Sequence, residues 1–119
     1  EGQVYNFSQI DDELILNHHQ GAFIIKDNTL DKFYDIGSWK FVKTSDPDLI
    51  LGGDYQGIRY FKKLNGKWNR ISEISNLTES SRILEFENDS TLWMTHGYKG
   101  AYKIQLDRNL QLKNEIPLN

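Results

Sequence analysis

Three short turns in this sequence carry side chains that could recognise a ligand. Imidazole, carboxylate, amide, phenol and ammonium groups occur there, so hydrogen bonding, ion pairing and ring stacking are all available. The residues, in chain order, are His18, His19, Gln20, Asp54, Tyr55, Gln56, His96, Tyr98 and Lys99. Because binding residues concentrate on loops held by a rigid scaffold, we take these nine as the candidate ligand-binding set. The alternative interpretation is that hairpin turns are polar in any protein.

Catalysis and metal binding are disfavoured by the spacing of the same residue types. A metal site needs three or four converging ligands, whereas adjacent His18 and His19 would point to opposite faces of a strand. No nucleophile elbow, phosphate loop or Ser/His/Asp constellation is present. The paired carboxylates suit solvated turns and strand faces; they are Asp11, Asp12, Glu85 and Glu87. The sequence therefore predicts no catalytic residue, no metal, no cofactor and no enzymatic activity.

The composition is that of one globular domain. The 119 residues are 38% hydrophobic and 13% aromatic, which supplies enough apolar surface for a core. The net charge of −3 argues against nucleic-acid binding, which needs a clustered basic face. No apolar run approaches the roughly 20 residues of a membrane-spanning helix. This segment is therefore predicted neither to bind nucleic acid nor to insert into a membrane, and without cysteine it has no disulfide.

The turns recur because the sequence around them repeats. Leu14, Leu49 and Leu92 each open a run of three large apolar residues, followed by a polar, glycine-rich turn and a second apolar run. These leucines are 35 and 43 residues apart, near the roughly 40 to 50 residues of a propeller blade. An apolar run without alternation is typical of a strand covered on both faces. Such strands occur where neighbouring blades sandwich a sheet.

Twelve strands in three sets of four account for the whole chain. The sequence predicts an all-β fold of three four-stranded antiparallel blades of a β-propeller, either a partial propeller or a fragment of a larger one. The blades cover about residues 1–37, 38–75 and 76–119. Trp39, Trp68 and Trp93 are predicted to pack between blades rather than to form a sugar platform, with Trp93 in the core.

The third repeat contains an acidic turn that leads into a Leu-Trp strand, then a hairpin bounded by glycines and followed by an aromatic and a basic residue. The residues are Asp89, Leu92, Trp93, Gly97, Gly100, Tyr102 and Lys103. This pattern resembles the propeller repeat of two-component regulators. The first two repeats depart from it, with Ile15 and Ile50 in the place of Trp93.

The resemblance implies a periplasmic, extracytoplasmic ligand-sensing segment of a bacterial two-component-type signalling regulator. Such a segment is not catalytic, binds a small molecule or glycan, and has the rest of a larger, membrane-anchored sensor protein as its partner. Two alternatives stay open: a propeller scaffold for protein–protein interaction, and a propeller enzyme that acts on glycans.

Three blades cannot complete a propeller ring, which needs four or more. The end blades would therefore expose apolar residues: Val4, Tyr5 and Phe7 in the first, and Tyr102, Ile104 and Leu106 in the last. Since the chain begins at Glu1 without a methionine, we expect a processed chain or an excised fragment. The sequence thus predicts either a longer polypeptide or a homo-oligomer, for instance two copies in one six-bladed ring.

Overall fold

A computed structural model describes residues 3–118, and every regular element in that range is a β-strand. Sheet 1 contains β1 (Val4–Ile10), β2 (Glu13–His18), β3 (Gly21–Lys26) and β4 (Thr29–Tyr34). Sheet 2 contains β5 (Ser38–Lys43), β6 (Leu49–Asp54), β7 (Gly57–Leu64) and β8 (Lys67–Glu73). Sheet 3 contains β9 (Ile83–Asn88), β10 (Thr91–His96), β11 (Gly100–Leu106) and β12 (Leu112–Pro117). The predictions of an all-β chain and of twelve strands are confirmed.

Each sheet is an antiparallel meander whose strands follow one another in chain order. Several turns place residues at positive φ, where asparagine, aspartate and glycine are tolerated. Asn65 and Gly66 between β7 and β8 have φ of 53° and 78°, and Asp27 between β3 and β4 has φ of 53°. These local preferences close the hairpins. No helix that could cross a membrane occurs in residues 3–118.

The three sheets stack face to face in chain order. Strand β1 lies beside β5, β5 lies beside β9, and β4 contacts β8. The backbone N–H of Phe41 in β5 donates a hydrogen bond of 3.0 Å to the Ser8 hydroxyl in β1. We call the side of a sheet that faces the next sheet in the chain its front face, and the opposite side its back face.

Sheet 2 is covered on both faces, which explains its continuous apolar run. Ile50 and Leu51 are neighbours in β6 and therefore point to opposite faces, yet both are fully buried. Ile50 packs on the back face against the front face of sheet 1, and Leu51 packs on the front face against sheet 3. The first interface is rich in aromatic rings, such as Phe41 and Phe61, whereas the second is mostly aliphatic.

The structural repeat differs by one residue from the spacing of the leucines. Gly21, Gly57 and Gly100 pair directly with His18, Asp54 and His96. Equivalent positions are therefore 36 and 42 residues apart, from His18 to Asp54 and from Asp54 to His96.

Leu51 in sheet 2 is consequently the structural equivalent of Trp93, so the assignment of Ile50 to that position was wrong. A run such as Leu49–Leu51 has no polar alternation, so nothing in it fixes which residue faces which side.

The three tryptophans occupy different environments. Trp68 is buried in the first interface as predicted, whereas Trp39 and Trp93 are half-buried. The prediction that Trp93 lies in the core is wrong, because Trp93 lies on the outer, front face of sheet 3. Its indole N–H donates to Glu87 Oε1 at 2.8 Å, and the Lys103 ammonium lies 5.6 Å from its ring centre.

The expectation that the last sheet exposes Tyr102, Ile104 and Leu106 is wrong as well. Ile104 and Leu106 are buried, and Tyr102 packs beside them. All three contribute to the interface between sheets 2 and 3.

Candidate ligand-binding site at the hairpin edge

The turns that carry the nine candidate residues lie along one edge of the stack. Within each sheet the first strand begins beside the end of the second, as the pairs Val4–His18, Ser38–Asp54 and Ile83–Thr95 show. The β2–β3, β6–β7 and β10–β11 turns therefore share an edge with the starts of β1, β5 and β9. We call this the hairpin edge.

Three of the nine residues cap their own turns. The backbone N–H of Gln20 donates to His18 Nδ1 at 3.0 Å, and that of Gln56 donates to Asp54 Oδ1 at 2.8 Å. In the third turn the N–H of Tyr98 donates to His96 Nδ1 at 3.3 Å. The last residue of each second strand thus offers an acceptor to the N–H two residues later, as in an Asx turn. These acceptor atoms stabilise the turns. The candidate residues that follow them are therefore the ones whose side chains are available to contact a ligand.

Asp54 also joins sheet 1 to sheet 2 in a buried polar network. Its Oδ2 accepts a hydrogen bond of 2.6 Å from the Tyr34 hydroxyl and lies 3.4 Å from Arg59 Nε. Burial, and then the hydrogen bond to Asp54, raise the pKa of Tyr34 to about 12. A buried carboxylate needs such partners because an unpaired charge is costly in the interior. Asp54 therefore positions its neighbours rather than meeting solvent.

An aromatic cluster of Tyr5, Trp39 and Tyr55 spans the first two sheets. Tyr5 stacks on Trp39 with ring centres 4.2 Å apart, Tyr55 lies 5.1 Å from Trp39, and the Tyr5 and Tyr55 hydroxyls are hydrogen-bonded. The segment before β9 completes the cluster, because Arg82 lies 4.4 Å over the Trp39 ring and Ser80 accepts its indole N–H at 2.9 Å. Burial, and then the hydrogen bond to Tyr5, raise the pKa of Tyr55 to about 12.

Sequence reasoning missed Tyr5, Trp39 and Arg82 as members of this edge. Tyr5 and Trp39 fall where the registers of β1 and β5 shift between Val4 and Asn6 and between Ser38 and Lys40. A β-bulge redirects the side chain of its extra residue, and here both rings turn towards the same cluster. The sequence did contain one signal, an aromatic residue near the start of the first strand in sheets 1 and 2. The bulges themselves are seen only in the pairing of those strands with β2 and β6.

The third turn is tied to the segment between β8 and β9 through Glu79. The Lys99 ammonium lies 3.1 Å from Glu79 Oε2, and His96 Nε2 lies 3.8 Å from the same atom. The hydrogen bond to Glu79 raises the pKa of Lys99. Tyr98 is 87% exposed and packs edge-on against His96 with ring centres 4.7 Å apart. Tyr98 thus presents an aromatic surface to solvent at the sheet 3 end of the edge.

Two open recesses meet at Arg59 and Arg70 on the sheet 2 side of the same edge. Their volumes are about 370 and 620 Å³, and Gln56 lines both together with the two arginines. Arg59 is nine-tenths buried and donates from Nη2 to Gln56 Oε1 at 3.3 Å. Arg70 is half-exposed and pairs with Glu73. Two guanidinium groups and an amide give this recess the donors that bind carboxylate, sulfate or phosphate.

The nine predicted residues share the edge but do not form one cluster. Gln20 is exposed at the sheet 1 end, where His19 Nδ1 accepts the Gln3 N–H at 2.9 Å. Tyr55 and Gln56 are exposed beside the arginine recess, and Tyr98 and Lys99 are exposed at the sheet 3 end. Of the predicted set, only Asp54, Tyr55 and Gln56 lie beside the residues that form the recess and the aromatic cluster.

Among residues 3–118 no group of three or more His, Asp or Glu side chains is arranged to hold a metal ion. Comparison with known proteins gives no identification: no family model matches the sequence, and no curated protein matches it.

Proposed function

We propose that this chain is a non-catalytic segment of a β-propeller that binds a small polar molecule or glycan at its hairpin edge. It would serve as the extracytoplasmic sensor of a bacterial two-component-type regulator. The observation that carries the proposal is the bonding of hairpin-edge groups across sheets. Tyr5, Trp39 and Arg82 come from three different parts of the chain and stack into one cluster.

The stacking of the sheets supports the propeller. Each sheet is a four-stranded meander, and the first strands β1, β5 and β9 lie side by side. In a propeller the first strands of successive blades line the central axis, and each blade packs its face on the next. Sheet 2, with both faces covered, has the environment of an internal blade.

The recess at Arg59 and Arg70 supports a ligand that carries an anionic group. A planar guanidinium binds a carboxylate or sulfate through two parallel hydrogen bonds. Arg59 is already fixed by Asp54 and Tyr34, so binding would move only the more exposed Arg70, which would exchange its ion pair with Glu73 for the ligand. Exposed Gln56 and Tyr55 next to the recess offer an amide and a ring for the remainder of the ligand. An acidic sugar or a small carboxylate has this combination of features.

The assignment to a sensor is supported by the residues of the third repeat that resemble two-component regulators. Leu92 of that motif packs in the core, and Gly100 has φ of 99°, a conformation that favours glycine. The motif thus contains one residue that packs in the core and a glycine in the β10–β11 turn at the hairpin edge.

A second candidate, a protein–protein scaffold, is favoured by one observation. The back face of sheet 1 exposes large apolar side chains, including Phe7 and Leu30. Apolar patches of this kind often mark interaction surfaces. This candidate predicts binding through sheet 1 rather than through the turns.

A panel of neutral sugars, uronic-acid oligosaccharides and small carboxylates tests the ligand proposal by isothermal titration calorimetry. We expect at least one acidic member to bind, and Arg70→Gln to weaken it about tenfold through loss of one charge-assisted contact. Arg108→Gln is the matched control and should leave affinity unchanged. Arg108 lies in the β11–β12 turn, at the edge of the stack opposite the hairpin edge.

The proposal fails if no acidic compound binds at millimolar concentration, or if the Arg108 variant weakens binding as much as the Arg70 variant. Product formation from any member of the panel would contradict the non-catalytic assignment.

A further inference from the structure

A groove runs between β4 and β8, the fourth strands of sheets 1 and 2, which contact each other. Both strands run towards the hairpin edge, because Tyr34 at the end of β4 pairs with Ala22 and Glu73 at the end of β8 pairs with Arg59. The smaller of the two recesses at the arginines, of about 370 Å³, occupies the hairpin-edge end of this groove. The groove therefore extends from the proposed ligand site towards the opposite edge.

A further recess, of about 220 Å³, lies along the groove beyond the arginines. Its apolar walls are Ile24 and Phe33 from sheet 1 and Trp68 from sheet 2. Phe33 also lines the arginine recess, so the two recesses adjoin at this residue. Phe33 has no direct partner in β3, because the register of β3 and β4 shifts there. A β-bulge of this kind redirects the side chain of its extra residue.

The aromatic walls of the further recess are fixed by contacts within the protein. Trp68 is 4% exposed, its indole N–H donates to Glu13 Oε1 at 3.0 Å, and the Lys63 ammonium lies 5.4 Å from its ring centre. Glu13 is also paired with Lys63 at 3.0 Å, so its charge is balanced. Phe33 packs edge-on against Phe61 with ring centres 5.8 Å apart. Walls held in this way lose little entropy when a ligand binds.

Three exposed charged residues surround the opening of the further recess, namely Lys26, Lys67 and Asp31. We call it the lysine recess. Within residues 3–118 none of these three side chains takes part in an ion pair or a hydrogen bond. An ammonium group without a counter-charge favours an anionic ligand, and the Asp31 carboxylate can accept hydrogen bonds from hydroxyl groups. The lysine recess thus has groups for both a carboxylate and the hydroxyls beside it.

We infer that the ligand is an acidic oligosaccharide, with one sugar unit in the arginine recess and the chain continuing into the lysine recess. The inference rests on the proposed function, because the first unit binds at Arg59 and Arg70. Lys67 precedes Arg70 by three residues on β8, which is about 10 Å along the strand. A single sugar ring is shorter than this distance, so only a chain of sugar units reaches both cations.

The walls of the lysine recess favour a sugar chain over an acidic peptide, the other chain with regularly spaced carboxylates. Phe33 and Trp68 offer apolar surface to the C–H face of a sugar ring. Asp31 accepts hydrogen bonds from sugar hydroxyls, whereas the carboxylate side chains of an acidic peptide are repelled by it.

Isothermal titration calorimetry with galacturonic acid and its linear dimer, trimer and tetramer tests the inference. Affinity should rise about tenfold or more from monomer to trimer, because linked units bind at a high effective concentration. Lys67→Gln should weaken binding of the trimer about tenfold more than binding of the monomer, whereas Arg70→Gln should weaken both. Lys113→Gln is the matched control, an exposed lysine on β12 of sheet 3, and should bind the whole series like the wild type.

Two-dimensional ¹H–¹⁵N NMR gives a second readout that does not depend on a variant. The trimer should shift the amide signals of Lys67 and Asn69, which line the lysine recess. The monomer should leave these two signals in place and shift those around Arg70.

The possible failures are distinguishable. Equal affinity for monomer and trimer, or an equal effect of Lys67→Gln on both, would overturn the extended groove and leave the arginine recess as the site. If another acid of the calorimetric panel binds but no member of the galacturonic series does, the oligosaccharide is wrong and the proposed function stands. If no acid binds, both are wrong. Tetraglutamate that binds as tightly as the sugar tetramer would overturn the assignment to a sugar.

Discussion

The hairpin edge and the opposite edge of the stack are both built from polar turns, but their side chains bond in different ways. On the opposite edge the capping acceptors bond to no other sheet, and sheets 1 and 2 are joined there by the ion pairs Lys43–Asp11 and Lys63–Glu13. Asp46 accepts the Asp48 N–H at 2.9 Å, Asn88 accepts the Ser90 N–H at 3.0 Å, and Asp107 accepts the Asn109 N–H at 2.8 Å.

On the hairpin edge the same kind of turn is connected across sheets. Asp54 caps its own turn and also binds Tyr34 of sheet 1, while Trp39 contacts Tyr5 of sheet 1 and Arg82 before sheet 3. Contacts across sheets fix the relative positions of groups that are distant in sequence. A site held in this way loses less entropy when it binds a ligand, which is why we place recognition on this edge.

The largest expected effect comes from removing the cross-sheet carboxylate. Asp54→Ala should lower the free energy of unfolding by about 3–5 kcal/mol, because it leaves the nearly buried Arg59 guanidinium without its counter-charge. Urea denaturation followed by fluorescence measures the change. A loss below about 1 kcal/mol would mean that the network does not hold sheets 1 and 2 together.

The next effect is expected from the aromatic cluster. Trp39→Ala should cost about 2–3 kcal/mol, because the half-buried ring contacts Tyr5, Tyr55 and Arg82. Trp93→Ala is the matched control and should cost about 1 kcal/mol less, since that ring is also half-buried but contacts its own sheet only. Equal losses in the two variants would contradict a cross-sheet role for Trp39.

Alkaline pH should lower the free energy of unfolding through Tyr34 at the hairpin edge, by less than either substitution above. The pKa of Tyr34 is raised to about 12 in the folded protein, above its ordinary value of about 10. The protonated Tyr34 hydroxyl therefore contributes its full stabilisation of the folded state below pH 10. This contribution is lost as the pH rises towards 12.

We expect this loss to be on the order of 1 kcal/mol, since the group is only partly buried. Unfolding free energies measured between about pH 9 and 12 should fall less steeply in Tyr34→Phe. Tyr98→Phe is the exposed control, and in this variant the unfolding free energy should fall as steeply with pH as in the wild type. A Tyr34 variant with the wild-type slope would argue against the interaction with Asp54.

The smallest effect is expected on the opposite edge. Asp107→Ala removes an acceptor for the N–H groups of Asn109 and Gln111 within one exposed turn. Such local bonds contribute about 0.5–1.5 kcal/mol each, and solvent replaces them readily here, so we expect a total loss of about 1 kcal/mol. Thermal denaturation is sufficient to measure it, and a loss equal to that of Asp54→Ala would remove the contrast between the edges.

The sequence alone predicted the strands well because strand signals are local. Continuous apolar runs marked the second strands, and Asn65-Gly66 marked a hairpin. Register was less predictable, because Leu49, Ile50 and Leu51 can exchange faces without any change in the pattern. The pairing of Gly57 with Asp54 and of Gly100 with His96 shows that Leu51 corresponds to Trp93.

The sequence repeat identified the three turns that carry the candidate residues, but not the environment of each side chain. Equivalent hairpins of stacked sheets lie at one edge, as the strand pairing shows. That Asp54 is a buried cap, whereas the next residue, Tyr55, is exposed, depends on which side of the turn faces sheet 1. Tyr5 and Trp39 reach the edge through β-bulges, which no local sequence signal specifies.

Two-dimensional ¹H–¹⁵N NMR tests the central claim, that the hairpin edge recognises the ligand. The protein is titrated with the tightest acidic binder of the calorimetric panel, and amide shift changes are mapped onto the sheets. We predict changes at Gln56, Arg59 and Arg70, with none at Asp89 or Asp107. Shift changes centred on the turns of Asp89 and Asp107 would contradict the account, because they would place binding on the opposite edge.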